Sequence, residues 1–260
     1  MKLRIPVIGQ LDGQAAHPYR SMEYVVADHI YTCATESGVV VLDARCGKYS
    51  FIPGDRARSV EGVVQGWPAL PPAETVAADP LVPSSLLSSL IGGGMVMRRA
   101  DRNSALGERA VLLPAQEALL DALAVAEEPE VHWRDVLRFT LSVTYAKVML
   151  KCRPFDTLLT DLRRRKDRLP TGGLTRSVTK IRECVQTFRW LRPFAYAETD
   201  ACLFDSVALT DFLLRQGVAA DFFIGVRIRP FVAHSWVQAH RFALNELPEY
   251  LSSYTRILSI

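Results

Sequence analysis

The stretch TDACLFDSVALTDFLLRQG, residues 199–217, reads as one helix with both ends marked. Thr199 and Asp200 carry side-chain oxygens that accept from the unpaired N–H groups of a first turn, and Gly217 offers the left-handed stop that ends many helices. Between them Leu203, Val207, Leu209, Phe212 and Leu213 recur at helical spacing. Downstream, Phe222–Val226 is a short apolar strand, Arg229-Pro230 interrupts it, and Phe231–Ala239 reads as a second strand. Phe242–Leu247 and Tyr254–Ile260 are expected to supply two more. A helix followed by antiparallel hairpins is an α+β arrangement, with the sheet packed on the helix.

Working outward, the chain from His132 is helical. Trp133, Val136, Leu137, Phe139, Leu141, Val143, Tyr145 and Val148 leave almost no polar face, so this helix is expected to be buried on most sides. Val178, Ile181, Val185, Phe188 and Leu191 mark another, amphipathic helix. Between the two lies the basic run Arg163–Arg168, read as a solvated face. The first third is β-rich: Tyr24–Ala27, His29–Thr35, Val39–Leu42 and Tyr49–Ile52 are β-favouring runs punctuated by Ser37-Gly38, Cys46-Gly47 and Pro53-Gly54, which predicts a three-stranded meander. Pro71–Pro83 is expected to be loop, and Ser84–Leu90 and Gln116–Val125 short helices.

Composition narrows the function. The 260 residues are 49% hydrophobic and 23% charged, ordinary for a globular chain and long enough for two domains. The net charge of +3 conceals two halves of opposite sign: residues 1–130 carry 11 basic and 16 acidic side chains, residues 131–260 carry 20 and 12. So small a total argues against a nucleic-acid binder. Five cysteines are too few for a disulfide scaffold and odd in number, which favours a reducing, cytoplasmic setting. No secretory signal, membrane span, Walker-type loop, CxxC or HxxxH is legible, so neither a metal nor a bound nucleotide is expected.

Chemistry concentrates late in the chain. Cys202 falls in the first turn of its helix, where unpaired N–H groups and the helix dipole favour a thiolate. A free cysteine is more often a small buried hydrophobe; this one gains weight from His234, set in the return strand of the following hairpin. Alternation places Val232, His234, Trp236 and Gln238 on one strand face. A histidine base needs an orienting acceptor, and the next segment offers Asn245 and Glu246. A two-residue turn at His240-Arg241 pairs Trp236 with Asn245 and gives Asn245 the histidine's face. A three-residue turn over Ala239-His240-Arg241 sets Glu246 opposite His234. The residues themselves leave both registers open.

The segments CLFDSVAL (202–209), GVR (225–227), PFVAHSWV (230–237) and LNE (244–246) resemble the lasso-peptide B proteins, leader peptidases of the transglutaminase-like superfamily, which is related to papain. The resemblance is close over about the last 60 residues and looser back to about residue 131. It implies a Cys-His-acid triad of Cys202 as nucleophile, His234 as base and Glu246 at the acidic position, reached through the three-residue turn, with Asn245 as the alternative orienting residue. Glutamate replaces the family's usual aspartate, and His240-Arg241 its usual Asp-Gly. Val39-Val40-Val41-Leu42-Asp43 followed by Gly47-Lys48-Tyr49-Ser50-Phe51 resembles the RiPP recognition element, a winged-helix-like domain that adds a precursor's leader as an extra strand. The implied organisation is a recognition domain over residues 1–105, with Val39, Val40, Val41, Leu42, Tyr49 and Phe51 binding the leader. A peptidase domain with helices packed on an antiparallel sheet follows over 106–260. The implied partners are a lasso precursor peptide and an asparagine-synthetase-like cyclase, with no nucleic acid and no membrane; any ATP dependence belongs to the pathway, since this chain has no motif for ATP. A non-catalytic leader-binding adaptor and acyl transfer to an amine are the competing functions.

Overall fold

A short strand, β1 (Tyr24–Val26), leads into the expected meander of β2 (Ile30–Thr35), β3 (Gly38–Asp43) and β4 (Lys48–Pro53). The structure, a computed structural model, describes residues 23–71, 84–101, 117–118, 129–169, 177–196 and 202–260. The run Val39-Val40-Val41-Leu42 does not alternate because β3 is the middle strand and is covered on both faces. Val39 and Val41 face a small core with Ile52, Ala57 of α1 (Gly54–Arg58), Val64 of β5 (Val64–Gln65), Leu86 and Leu90 of α2 (Ser84–Gly92) and Val96 of β6 (Val96–Arg98). Val40 and Leu42 face the other way, into the main core that the C-terminal helices and sheet build. β1 pairs parallel with β5 and antiparallel with β6, making a second small sheet.

This placement corrects the expected leader-binding set. Val39, Val40, Val41 and Leu42 are buried on a central strand whose backbone is paired on both sides, so they have no free edge to offer. The edge strands are β2 and β4, and of the expected residues only Tyr49 and Phe51 lie on one of them, β4. Gly54 N–H donates to Ser37 O at 3.0 Å, which continues the β3–β4 register as a hydrogen-bonded pair. Counting back by twos, Ile52, Ser50 and Lys48 bond to β3, while the N–H and C=O groups of Tyr49 and Phe51 point outward.

Of the helix expected over Gln116–Val125, the described part is instead a two-residue strand, β7 (Glu117–Ala118), parallel to Phe242-Ala243; the rest lies outside the described residues, as do most of Pro71–Pro83 and the expected caps Thr199 and Asp200. The helix α3 (Trp133–Cys152) forms as expected but is not buried on most sides. Only Phe139, Ser142 and Ala146 are covered, whereas Trp133, at 70% exposure, and Leu137, Leu141 and Val148 are open. An all-apolar pattern cannot tell which face a neighbour takes, and α3 packs mainly through one stripe.

α4 (Phe155–Asp167), α5 (Val178–Leu191) and α6 (Cys202–Arg215) complete the helical layer. Phe139, Phe188 and Phe212 join α3, α5 and α6 in an aromatic triangle with centroids 5.4, 5.6 and 6.5 Å apart. Every residue of α6 from Ser206 to Leu214 is buried. The helix stops as its sequence predicts: Gly217 takes φ 74°, and Val218 N–H reaches back to Leu213 O at 2.9 Å. Two members of the basic run are tied inward, Arg165 on Asp161 and the buried Asp211, and Lys166 on Asp221, while Arg164 and Arg168 are exposed.

The C-terminal sheet has the order β11-β8-β9-β10-β7, formed by β8 (Asp221–Arg227), β9 (Val232–Ala239), the short β10 (Phe242–Ala243) and β11 (Thr255–Ser259), with α7 (Pro248–Leu251) between the last two. The chain is thus mixed α+β, with small N-terminal sheets and a C-terminal unit of helices on an antiparallel sheet. No helix among the described residues is long and apolar enough to cross a membrane.

Candidate active site

Cys202 is the first residue of α6, so its sulfur sits where the helix presents unpaired N–H groups. One turn on, Ser206 Oγ donates to Ser235 O at 3.0 Å, which fixes α6 against β9 and sets Cys202 beside His234 and Ser235. Cys202, His234 and Ser235 line one pocket. The thiol is held below its ordinary value of 9.0, first by the hydrogen bond from His234, against the opposing effect of burial, and further by the N–H and hydroxyl of Ser235. That hydroxyl is buried and makes no aligned hydrogen bond among the described residues. The buried thiols behave oppositely: burial pushes Cys33 up to about 12 and Cys184 up to about 11.

His234 is boxed by aromatic rings. Trp236 lies nearly parallel to it at 6.4 Å, and Tyr250 and Tyr254 each sit 5.4 Å away. Trp236 in turn stacks on Phe223 at 5.4 Å and donates to Gln238 Oε1 at 2.8 Å. Burial in this box works against a charged imidazole. The hydrogen bond to Cys202 and the carboxylate of Glu246 outweigh it and raise His234 to about 9. Glu246 Oε1 lies 3.3 Å from His234 Nε2. The geometry is that of an ion pair rather than an aligned hydrogen bond, and Nε2 has no other acceptor among the described residues.

The route by which Glu246 arrives differs from the expected one. The turn has two residues, His240 and Arg241, with Ala239 paired to Phe242 and Gln238 to Ala243; His240 adopts the left-handed φ of 55° that such a turn requires. In that register simple alternation would give Asn245 the histidine's face. It does not, because the ladder ends early. Leu244 N–H still donates to Val237 O, but Val237 N–H donates to the Asn245 side chain at 2.9 Å instead of to a strand carbonyl. Asn245 Nδ2 then donates to Ser206 Oγ at 3.1 Å and Asp205 Oδ2 at 3.4 Å, on the helix side. The chain bends away, and Glu246 swings to the opposite side, onto His234. Asn245 is therefore a latch between α6 and β9, a role that strand alternation does not reveal.

Gly225 faces His234 across the β8–β9 ladder. A Cβ there would stand 2.8 Å from the Trp236 ring and 2.9 Å from Tyr254 Cβ, both parts of the box. Gly225→Ala is expected to destabilise the protein by about 1–3 kcal/mol in urea unfolding, as overpacking does, and to slow alkylation of Cys202 by displacing the imidazole; unchanged values of both would show that the rings yield freely.

Among the described residues no cluster of three or more His, Cys, Asp or Glu side chains could hold a metal ion. What is assembled is a thiol held below its ordinary range, an imidazole held above its own and a carboxylate behind it, an arrangement suited to attack on a carbonyl. Searches of curated proteins and of solved structures found no significant match to this chain. Residues 141–259 match the model of the transglutaminase-like superfamily, a span that holds α4, α5, α6, the β8–β11 strands and all three of these side chains. The C-terminal half of the chain is a transglutaminase-like superfamily core domain.

Proposed function

We propose that this protein is a cytoplasmic cysteine peptidase of lasso-peptide maturation, which holds a ribosomal precursor by its leader and cleaves leader from core. The observation that carries the reading is the Cys202–His234–Glu246 chain at the junction of α6 and β9. The Cys202 thiolate attacks the scissile carbonyl, and the imidazolium of His234 gives its proton to the leaving amine, so that a thioester remains on the sulfur. Water, deprotonated by His234, then hydrolyses the thioester and returns the thiol. Backbone N–H groups at the start of α6 are placed to stabilise the oxyanion. The freed core passes to an asparagine-synthetase-like cyclase.

Leader recognition is assigned to the N-terminal sheets, in the manner of a winged-helix-like recognition element, and specifically to the open edge of β4. A peptide added there would pair with the outward N–H and C=O groups of Tyr49 and Phe51. Phe51→Pro removes one outward donor and no bond to β3, so it is expected to weaken leader binding about three- to tenfold, the worth of one hydrogen bond. Fluorescence anisotropy with a labelled leader checks this, with Phe51→Ala as the control for the lost ring. Equal affinities for the two variants would remove the β4 edge from recognition.

The reading as a whole is tested by expressing the chain with the short precursor encoded beside its own gene and following the peptide by mass spectrometry. Separate leader and core fragments are expected. A precursor that stays intact would overturn the peptidase assignment, and a core bearing an added amine would shift it to acyl transfer.

A further inference from the structure

The thiol opens onto a pocket that belongs to neither half of the chain alone. A cavity of about 330 Å³ lies against Cys202 and His234, at the lower end of the range for small-ligand sites. Leu42 and Tyr49 of the N-terminal sheet form one side of it; Leu150 of α3, Phe155 of α4 and Ile224 of β8 form much of the rest. Apart from the reacting pair, no lining side chain carries a charge. Tyr49 stays neutral at any working pH, since burial and the nearby Cys202 sulfur push its phenol up to about 12. A charged side chain entering here would lose its water and find no counter-ion beyond the reacting pair, whereas an aliphatic or aromatic one would lose only unfavourable hydration. The volume suits one large side chain, not a cofactor.

We infer that this pocket is a substrate subsite that selects an aliphatic or aromatic side chain from one of the last two residues before the scissile bond, and that Leu42 and Tyr49 make the N-terminal sheet part of that specificity. The inference rests on the reading of Cys202 as an acyl-attacking nucleophile. It adds a constraint on the sequence cleaved. It also gives the N-terminal sheet a second role: Tyr49 turns its backbone to the open β4 edge and its ring to the pocket. A peptide paired along β4 would therefore run past the cavity mouth.

The test uses the intact protein and dipeptidyl chloromethyl ketones in which each of the two residues is in turn Ala, Leu, Phe, Asp or Lys. The Cys202 thiolate displaces chloride and forms a carbon–sulfur bond, which intact mass and peptide mapping locate and time. Rates are divided by the rate of iodoacetamide, which carries no side chain. At one of the two positions Leu or Phe is expected to react at least about 30-fold faster than Asp or Lys, the scale on which apolar pockets discriminate. Tyr49→Ala, which enlarges the cavity, should raise the Phe-to-Leu ratio several-fold, and Leu150→Arg at the half-buried rim should favour Asp. If either variant fails to fold, the selectivity of the wild-type protein decides by itself. Fast reaction at Cys202 with no preference at either position would overturn the subsite and leave the nucleophile standing. Iodoacetamide reacting no faster at Cys202 than at the exposed Cys46 and Cys152 would bring down the nucleophile reading, and the subsite with it.

Discussion

Cys202→Ala is expected to abolish leader release, by at least about 10⁴-fold, while precursor affinity stays within a few-fold. The first half follows from chemistry: alanine has no lone pair to attack a carbonyl, and His234 and Glu246 supply none in its place. The second half follows from geometry, because recognition at the β4 edge as proposed would use backbone groups that the substitution does not touch. Alkylation of the wild-type protein should show the same site at work. The Cys202 thiol is held below its ordinary range, and the imidazole of His234 is raised to about 9. Iodoacetamide should therefore react with Cys202 at lower pH than with a thiol at its ordinary value. The rate should fall on the acid side, where the sulfur takes up its proton. At alkaline pH it changes again as His234 loses its charge. Cys46 and Cys152 serve as exposed internal references. Leader release at the wild-type rate in Cys202→Ala would eliminate the mechanism.

Much of this arrangement is legible in residues 199–217, and the reasons are local. An apolar pattern with a glycine stop specifies α6 whatever surrounds it, and the helix start puts Cys202 where a thiolate is favoured. The meander is legible for the same reason: β-branched runs between turn residues have few other options. What escapes the sequence is which side of each element is covered. Val39–Leu42 reads equally well as a binding strand or a buried one, and only the packing of two cores against its two faces decides. The helix α3 shows the converse, an apolar run that implies burial yet leaves Trp133 and Leu137 open. The pocket is the hardest case. Leu42 and Tyr49 lie far from Cys202 along the chain, and nothing in their own neighbourhood announces that the main core brings them to the sulfur.

The turn after β9 holds the sharpest disagreement between residues and structure, and it leads to the remaining expected result. Glu246→Gln should slow leader release by two or more orders of magnitude, and Asn245→Ala much less. Strand alternation in the observed two-residue turn argues the reverse, and it fails because Asn245 takes Val237 N–H for itself and ends the ladder. The distance from Glu246 Oε1 to His234 Nε2, 3.3 Å, corresponds to roughly 5 kcal/mol of attraction at an effective dielectric near 20, before the desolvation of either group is set against it. Glu246 supplies both a hydrogen-bond acceptor and a negative charge, and glutamine keeps the shape but lacks the charge. The sign of the pH effect follows. With the charge gone, burial is opposed by Cys202 alone, so the pKa of His234 must fall from about 9 and the alkaline limb of the alkylation profile must move to lower pH. Asn245→Ala leaves that limb in place. It removes the acceptor of Val237 N–H and loosens the latch to Ser206, which should appear as a stability loss of about 1–3 kcal/mol. An unmoved alkaline limb in Glu246→Gln, with the larger loss of cleavage in Asn245→Ala, would show that His234 is oriented by the latch and that Glu246 is a bystander.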